Sequence, residues 1–407
     1  MDFTEFGLEE QLMDGIRSLN YKVATPAQEK AIPIILQGKD IIVSAQTGTG
    51  KTAAYLLPII NKIITENSGH DKIKALVLVP TRELAVQIDQ LMEGLSYFTN
   101  VSSIAVYGGG DGLSFSREQK ALTQGADIVI CTPGRMLAHL NMNYFKFDGL
   151  KYLVLDEADR MLDIGFFDDI MRIISYVPKQ RQNLLFSATM PPKIRELAKK
   201  TMHQPEEVNI SISKPNENIT QLAYIVKEEQ KIPLVTFLLK DRKSQRMLVF
   251  CSTKSATKQL ARELKKVGLS VEDIHSDLEQ NEREEALLGF KNRKIEILVA
   301  TDILSRGIDI EDIDLVLNFD VPNDGEDYIH RIGRTARAAT KGTAITLVSE
   351  KDQFKFSRIE ELLGKAVPRT EIPSQFGTGP AYDPIKNKRL GVKKHFGKGR
   401  QQHKKRK

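Results

Sequence analysis

DIIVSAQTGTGKTAAYLLPIINKII, residues 40–64, is the stretch on which the fold turns. It opens with a short apolar run that lacks polar alternation, as a strand covered on both faces requires, and it closes with a segment of helical character. Between the two lie Gly48 and Gly50, whose missing side chains let backbone N–H groups turn toward an anion. The helix that follows adds its positive amino end. A strand, a glycine-bearing loop and a helix in this order form the context that a phosphate cradle demands. Thr47, Gly48, Thr49, Gly50, Lys51 and Thr52 are therefore the expected phosphate-binding residues, with Lys51 reaching the β and γ phosphates and the Thr52 hydroxyl taking Mg2+. Ala45 stands at the turn entry where the usual template has glycine, and a small residue suffices there.

Outward from this point the same rhythm repeats. DIIVSA, KALVLVP, DIVICTP, YLVLDEAD and NLLFSAT in the first half each place a short apolar run between longer amphipathic stretches. That is the pattern of a parallel sheet with helical crossovers. The rhythm pauses at HQPEEVNISISKPNENITQ and resumes with RMLVFCST, SVEDIH, IEILVATD, DLVLNFD and TAITLVS. The reading is α/β, two tandem domains of similar size: 1–205 as a nucleotide-binding domain, 206–220 as linker, 221–368 as a second domain. Residues 369–407 begin Pro- and Gly-rich and are expected to be a disordered tail.

Composition limits the alternatives. With 407 residues, 41% hydrophobic and 28% charged, the chain is an ordinary globular protein long enough for more than one core. No apolar run approaches the ~18 residues of a membrane span, and the acidic start MDFTEFGLEE reads as neither a signal nor a transit peptide. Cys131 and Cys251 each end an apolar run and read as buried thiols, which fits a reducing cytoplasm. The net charge of +6 is unevenly spread: residues 386–407 hold 11 Lys and Arg and no acid, leaving 48 basic against 53 acidic residues elsewhere. Such a basic block serves either nucleic-acid binding or solubility.

In open α/β sheets ligands bind beyond the carboxyl ends of the strands. TGTGKT, PTRE, TPGR, DEAD and SAT each follow an apolar run directly, so five polar clusters fall along one edge of one sheet. Asp156, at the end of YLVLD, supplies the second metal position that a phosphate loop needs. Glu157 beside it is placed to orient and deprotonate a water, which favours hydrolysis over transfer to another acceptor. Acids at a helix start are also common for dipole reasons. The phosphate loop upstream is what favours the catalytic reading.

AQTGTGKT, PTRELA, TPGR, DEAD, SAT, ATDILSRGID and HRIGRTAR, in this order, resemble the motifs of the DEAD-box RNA helicases, and the resemblance runs from about residue 3 to 365. It implies two RecA-like domains with ATP and Mg2+ in a cleft and RNA across both. By that resemblance YKVATPAQ is the adenine-recognition segment, with Gln28 reading the base edge and Tyr21, or the more distant Phe3, packing nearby. Gly307 and Asp309 would contact the nucleotide. Arg334 and Arg337, three apart and facing alike if helical, would be arginine fingers on the γ-phosphate. Asp159, Ser187, Thr189, His330 and Arg331 would couple hydrolysis to RNA handling. Asn20 and Ala24 depart from the family's Gly and Pro, and Ser276 and Ala339 from two further glycines.

The RNA groove would be lined by Thr81, Arg82, Gly109, Thr132, Pro133, Gly134 and Arg135 in the first domain and Thr301 in the second. Hydroxyls, glycines and isolated arginines suit phosphate and sugar better than base edges, so sequence preference should be weak. The function expected is an ATP-gated RNA clamp that parts short duplexes, from a monomeric, cytoplasmic, bacterial member. A translocating DNA helicase, whose ATPase DNA would stimulate equally, and an RNA chaperone or assembly platform, for which a Glu157→Gln variant would still support growth, are the alternatives.

Overall fold

Seven strands of the first half form one sheet whose spatial order differs from their chain order. The computed structural model describes residues 1–46, 48–66, 72–109, 112–210, 218–240, 242, 245–301, 313–323, 325–335 and 341–386. The strands are β1 (Ile41–Ser44), β2 (Ala75–Leu78), β3 (Ser103–Val106), β4 (Ile128–Cys131), β5 (Tyr152–Leu155), β6 (Gln182–Ser187) and β7 (Glu206–Asn209). They lie in the order β3-β4-β2-β5-β6-β1-β7, and every pairing is parallel. Successive side chains of a strand point to opposite faces. Thus Ile41 and Val43 of β1 enter one core and Ile42 enters the other. Both faces are covered, which is why these strands read as unbroken apolar runs.

The second sheet comprises β8 (Ile219–Val226), β9 (Met247–Cys251), β10 (Val271–Ile274), β11 (Ile297–Thr301), β12 (Leu315–Asn318) and β13 (Gly342–Ser349), in the order β10-β11-β9-β12-β13-β8. All of these pairings are parallel too. It also carries a separate hydrophobic core on each face. The chain therefore divides into two compact units, the first spanning Met1–Ser213 and the second beginning at Lys214.

Three boundaries differ from expectation. β7 falls inside the expected linker 206–220 and pairs with β1, Val43 opposite Val208. It is an edge strand that buries Val208 alone, so it leaves no apolar run to be read. β8 likewise begins at Ile219, before the expected start of the second domain. The largest difference lies after residue 368. Residues 369–386 are not a disordered tail but a strap laid on the second unit. Thr370 N donates to Ala223 O at 2.8 Å, and the Phe376 ring meets Phe237 edge-on at 5.6 Å. Gln353 brackets the far end, donating through Nε2 to Ala381 O at 2.8 Å and accepting through Oε1 from Asp383 N at 2.7 Å. Gly379 is required there, because a Cβ would lie 2.1 Å from Ile225 O. Among the described residues no helix is long and apolar enough to cross a membrane. Cys131 and Cys251 are buried free thiols at the ends of β4 and β9.

Candidate functional site

The strand order sorts the motifs. β5, β6 and β1 are neighbours, so DEAD, SAT and the phosphate loop, which follow them, meet at one place on the carboxyl edge. β3, β4 and β2 are neighbours as well, and they bring together Gly109, Thr132 to Arg135, and Thr81 with Arg82. Two groups of residues dispersed in sequence become two adjoining clusters.

In the first cluster the phosphate loop turns through Gly48 and Gly50, both at φ +79°, and the Lys51–Glu66 helix starts at its end. Lys51 is buried and its ammonium donates to Ala45 O at 2.7 Å. Thr25 and Gln28 bind the loop from behind. Thr25 Oγ1 donates to Thr49 O at 2.7 Å, Gln28 Nε2 donates to Gly50 O at 3.1 Å, and Gln28 Oε1 accepts from Thr25 N at 2.9 Å. A Cβ on Gly50 would stand 2.5 Å from Gln28 Nε2, so glycine is demanded by packing as well as by φ. Gln28 thus caps its own helix and clamps the loop. An amide has two N–H groups and two lone-pair directions, and one of each is used here.

Asp156 is buried at the end of β5, and its Oδ2 accepts from the Tyr55 hydroxyl at 2.9 Å. Burial pushes the Asp156 carboxyl up to about 6, against the pull of Lys51. Glu157 takes a left-handed backbone, φ 49° and ψ 48°, unusual for a residue with a side chain. Its Oε2 accepts from Arg160 at 3.2 Å. Asp159 then joins DEAD to SAT: its Oδ2 accepts from Thr189 N and Thr189 Oγ1, each at 3.0 Å, while Ser187 Oγ donates to Thr189 O at 2.7 Å. Tyr55 and Thr25 were missed from sequence. Tyr55 lies one helical turn beyond Thr52, which was the available signal.

The aromatic Tyr21 is partly exposed and stacks on the buried Phe3, ring centroids 6.3 Å apart. Asn20 has φ 57°, a left-handed position that explains glycine in the family and that asparagine tolerates better than most residues. Ala24 is buried.

In the second cluster Thr81 caps the Arg82–Ser96 helix, its hydroxyl accepting from Leu84 N at 3.3 Å. Gly109, at φ +93°, sits against the Arg82 guanidinium, where a Cβ would fall 1.7 Å from Nη1. Thr132 caps the Pro133–Asn141 helix through its backbone, without a side-chain bond to that helix, and Gly134 is exposed beside it. Arg135 is half-buried: its Nε donates to Glu118 Oε2 at 2.7 Å and its guanidinium stacks over Phe115. His139 shares the same Glu118 oxygen at 2.7 Å.

In the second unit Thr301 ends β11. Arg331 is interior, donating to Asn318 Oδ1 at 3.1 Å and Asp320 O at 2.9 Å and lying over the Phe250 ring. His330 precedes it in the Gly325–Ile332 helix. That helix stops at Ile332, before Arg334, and Arg337 lies outside the described residues, so the helix that would turn the two arginines alike does not extend to Arg334. Gly333 N still bonds Ile329 O, but Arg334 occupies a turn and Thr335 bridges to Ile313. Thr47, Gly307, Asp309, Arg337 and Ala339 lie outside the described residues.

Comparison with known proteins places this geometry. Residues 25–197 match the family model described as DEAD/DEAH box helicase, and 230–339 match that of the helicase conserved C-terminal domain. The ATP-dependent RNA helicase CshA of Listeria monocytogenes is 43% identical over 373 residues, which cover 91% of this chain and 71% of that protein. The DEAD-box ATP-dependent RNA helicase CshA of Geobacillus kaustophilus is 41% identical, covering 91% and 79%. Among solved structures, S. cerevisiae Dbp5 bound to RNA and ADP BeF3 superposes with a TM-score of 0.81 at 31% identity, covering 91% of this chain and 95% of that one. Mss116p bound to ssRNA and AMP-PNP gives 0.79 at 30%, covering 92% and 80%. The two parallel sheets, the motif clusters on one edge and these likenesses together make the chain a member of the DEAD-box ATP-dependent RNA helicases.

Proposed function

We propose that the two motif clusters divide the work of an RNA-dependent ATPase: ATP is held over β5, β6 and β1, and the RNA backbone over β3, β4 and β2, while Thr301 of the second unit also serves RNA. The observation that carries this reading is the strand order, which gathers the nucleotide motifs on one side of the first sheet and the RNA motifs on the other. The loop N–H groups and Lys51 would bind the triphosphate, and Gln28, with one N–H and one lone pair left over from its bonds to Gly50 and Thr25, would read adenine against Tyr21. Thr52 and Asp156 would hold Mg2+. The fit rests on Asp156, a buried carboxylate that burial alone makes unfavourable and that a cation would relieve. When bound, that ion neutralises charge on the phosphates.

Glu157 would accept a proton from the attacking water, its carboxylate steadied by Arg160. Arg334 would add positive charge at the γ-phosphate only in the RNA-bound state, which makes hydrolysis RNA-stimulated. The Asp159, Ser187 and Thr189 network would relay loss of that phosphate from DEAD to SAT. Thr81, Thr132 and Gly134 offer hydroxyl and backbone groups that suit phosphate and sugar, so preference among RNA sequences would be weak. Arg135 serves this groove by bracing it through Glu118. A monomeric, cytoplasmic protein is the state proposed.

ATP turnover measured with and without RNA tests the reading. The rate should rise with RNA and not with an equal concentration of DNA. Equal rates with and without RNA would refute it.

A further inference from the structure

We propose that Lys231, which lies outside every motif named above, is a positioning residue for the RNA-stimulated reaction: through Asp320 it fixes the Ser252–Thr253 turn and the backbone on which Arg331 and Arg334 are carried. Lys231 opens the Lys231–Lys240 helix and is fully buried, although a lysine in that situation normally has no place in a core. Its ammonium donates to Asp320 Oδ1 at 2.9 Å and reaches Glu228 Oε1 at 3.1 Å. Asp320 follows β12 and is a junction. Its Oδ2 accepts from Ser252 N at 2.9 Å, just beyond β9, and its carbonyl accepts from Arg331. Arg331 in turn holds Asn318, whose amide donates to Thr346 on β13 at 3.1 Å.

One buried cation thereby ties together three segments far apart in sequence. β9 lies between β11 and β12, so the Ser252 turn stands beside Thr301 on the carboxyl edge of this sheet. Ser252 and Thr253 are exposed there. Burial opposes the charge on both members of the pair. The Asp320 charge and hydrogen bond nevertheless lift the Lys231 ammonium above its ordinary value, and Lys231 with the Ser252 N–H keeps Asp320 below its own. Removing one partner leaves the other buried and uncompensated, so the turn loses its anchor. Glu228 is half-exposed and also pairs with Lys351, so it contributes little to the frame.

The inference rests on reading this edge as part of the working site. It is tested in the full chain by Lys231→Met, Asp320→Asn, the double variant and Glu228→Gln, each assayed well below its own melting temperature with single-stranded RNA and ATP varied separately. For Lys231→Met the KM for RNA should rise about fivefold or more and the RNA-stimulated kcat should fall, while the KM for ATP without RNA stays within about twofold. Asp320→Asn, which keeps the side-chain size, should reproduce this if Lys231→Met does not fold. The double variant should be no worse than the poorer single, as for residues acting as one unit. Glu228→Gln should match wild type. A lowered melting temperature with unchanged RNA kinetics, or effects of the two singles that multiply, would overturn the proposal. Arg334→Ala in the same assay tests the underlying reading separately: a full RNA-stimulated rate there sinks that reading, whatever Lys231→Met does.

Discussion

The two units organise their carboxyl edges differently. In the first, most of the groups that would touch the nucleotide are held from one motif to another, with Tyr55 on Asp156 as the exception: Thr25 and Gln28 clamp the phosphate loop, Lys51 is anchored on Ala45, and Asp159 binds Thr189. In the second, the edge depends on groups that no motif contains, Lys231 and Asp320, which hold Ser252 and Arg331 from behind. On the proposed reading the first unit would bind nucleotide by its local wiring, whereas the second would supply a frame whose worth is read only when RNA is present. Binding and stimulation should therefore separate by unit.

The largest effect tests that separation. Arg334→Ala should lower the RNA-stimulated kcat about 10³-fold and leave the Kd for ATP within a few-fold, since a finger acts on the transition state. Lys51→Ala should instead abolish measurable ATP binding. If titration gives Arg334→Ala and Lys51→Ala the same loss of affinity, the division of labour is wrong.

Next in size is the cost of the buried Asp156. Its carboxyl is raised to about 6 from an ordinary value of about 3.9, so the folded chain binds that proton more tightly than the unfolded one. Below about pH 4 the group is neutral in both states and costs nothing; stability is lost as pH rises through 6. Asp156→Asn should accordingly melt higher than wild type in the absence of nucleotide at pH 7 to 8, by up to about 3 kcal/mol, with the gain vanishing near pH 4. A gain independent of pH would mean that burial of the charge is not its source.

Gly109→Ala sharpens the contrast inside the first unit. The substitution meets both a left-handed backbone and the Arg82 guanidinium, and it should cost about 1–3 kcal/mol. Because Gly109 belongs to the β3, β4 and β2 cluster, the loss should appear in the KM for RNA. A matching rise in the KM for ATP would show that the two clusters are not separate.

Where sequence reasoning succeeded and failed follows the range of the forces involved. The phosphate loop, the DEAD turn and the strands were legible because each is a local pattern: apolar run, small residues, helix start. Asn20 was visible as a departure, and its φ of 57° shows why only a glycine or a residue like it fits. The helical setting expected for Arg334 was not legible from sequence, because the helix ends at Ile332 and Thr335 bridges to Ile313, a partner 22 residues upstream. β7 failed because an edge strand needs only one buried residue. Lys231 was invisible, since nothing near it in sequence says that Asp320 will sit 2.9 Å away.

The strap shows the same limit, and it yields the smallest expected effect. PRTEIPSQFGTGPAYDP reads as disordered because Pro and Gly remove local structure. Its order comes instead from side chains more than a hundred residues earlier, Gln230 and Phe237, and from Gln353 and Glu360, with the Tyr382 hydroxyl donating to Glu360 at 2.8 Å. Two truncations separate this strap from the basic block beyond it. Removing 369–407 strips those bonds and ring packing from the second unit and should lower its melting temperature. Removing 387–407 leaves them in place and should not move it. The shorter truncation should instead weaken RNA binding and flatten its dependence on salt, by about 0.7 in the log–log slope for each single-strand phosphate that is no longer neutralised. That block holds the excess positive charge of the chain, so an unchanged slope would confine it to solubility. An unchanged melting temperature in the longer truncation would show that the strap rests on the second unit without stabilising it.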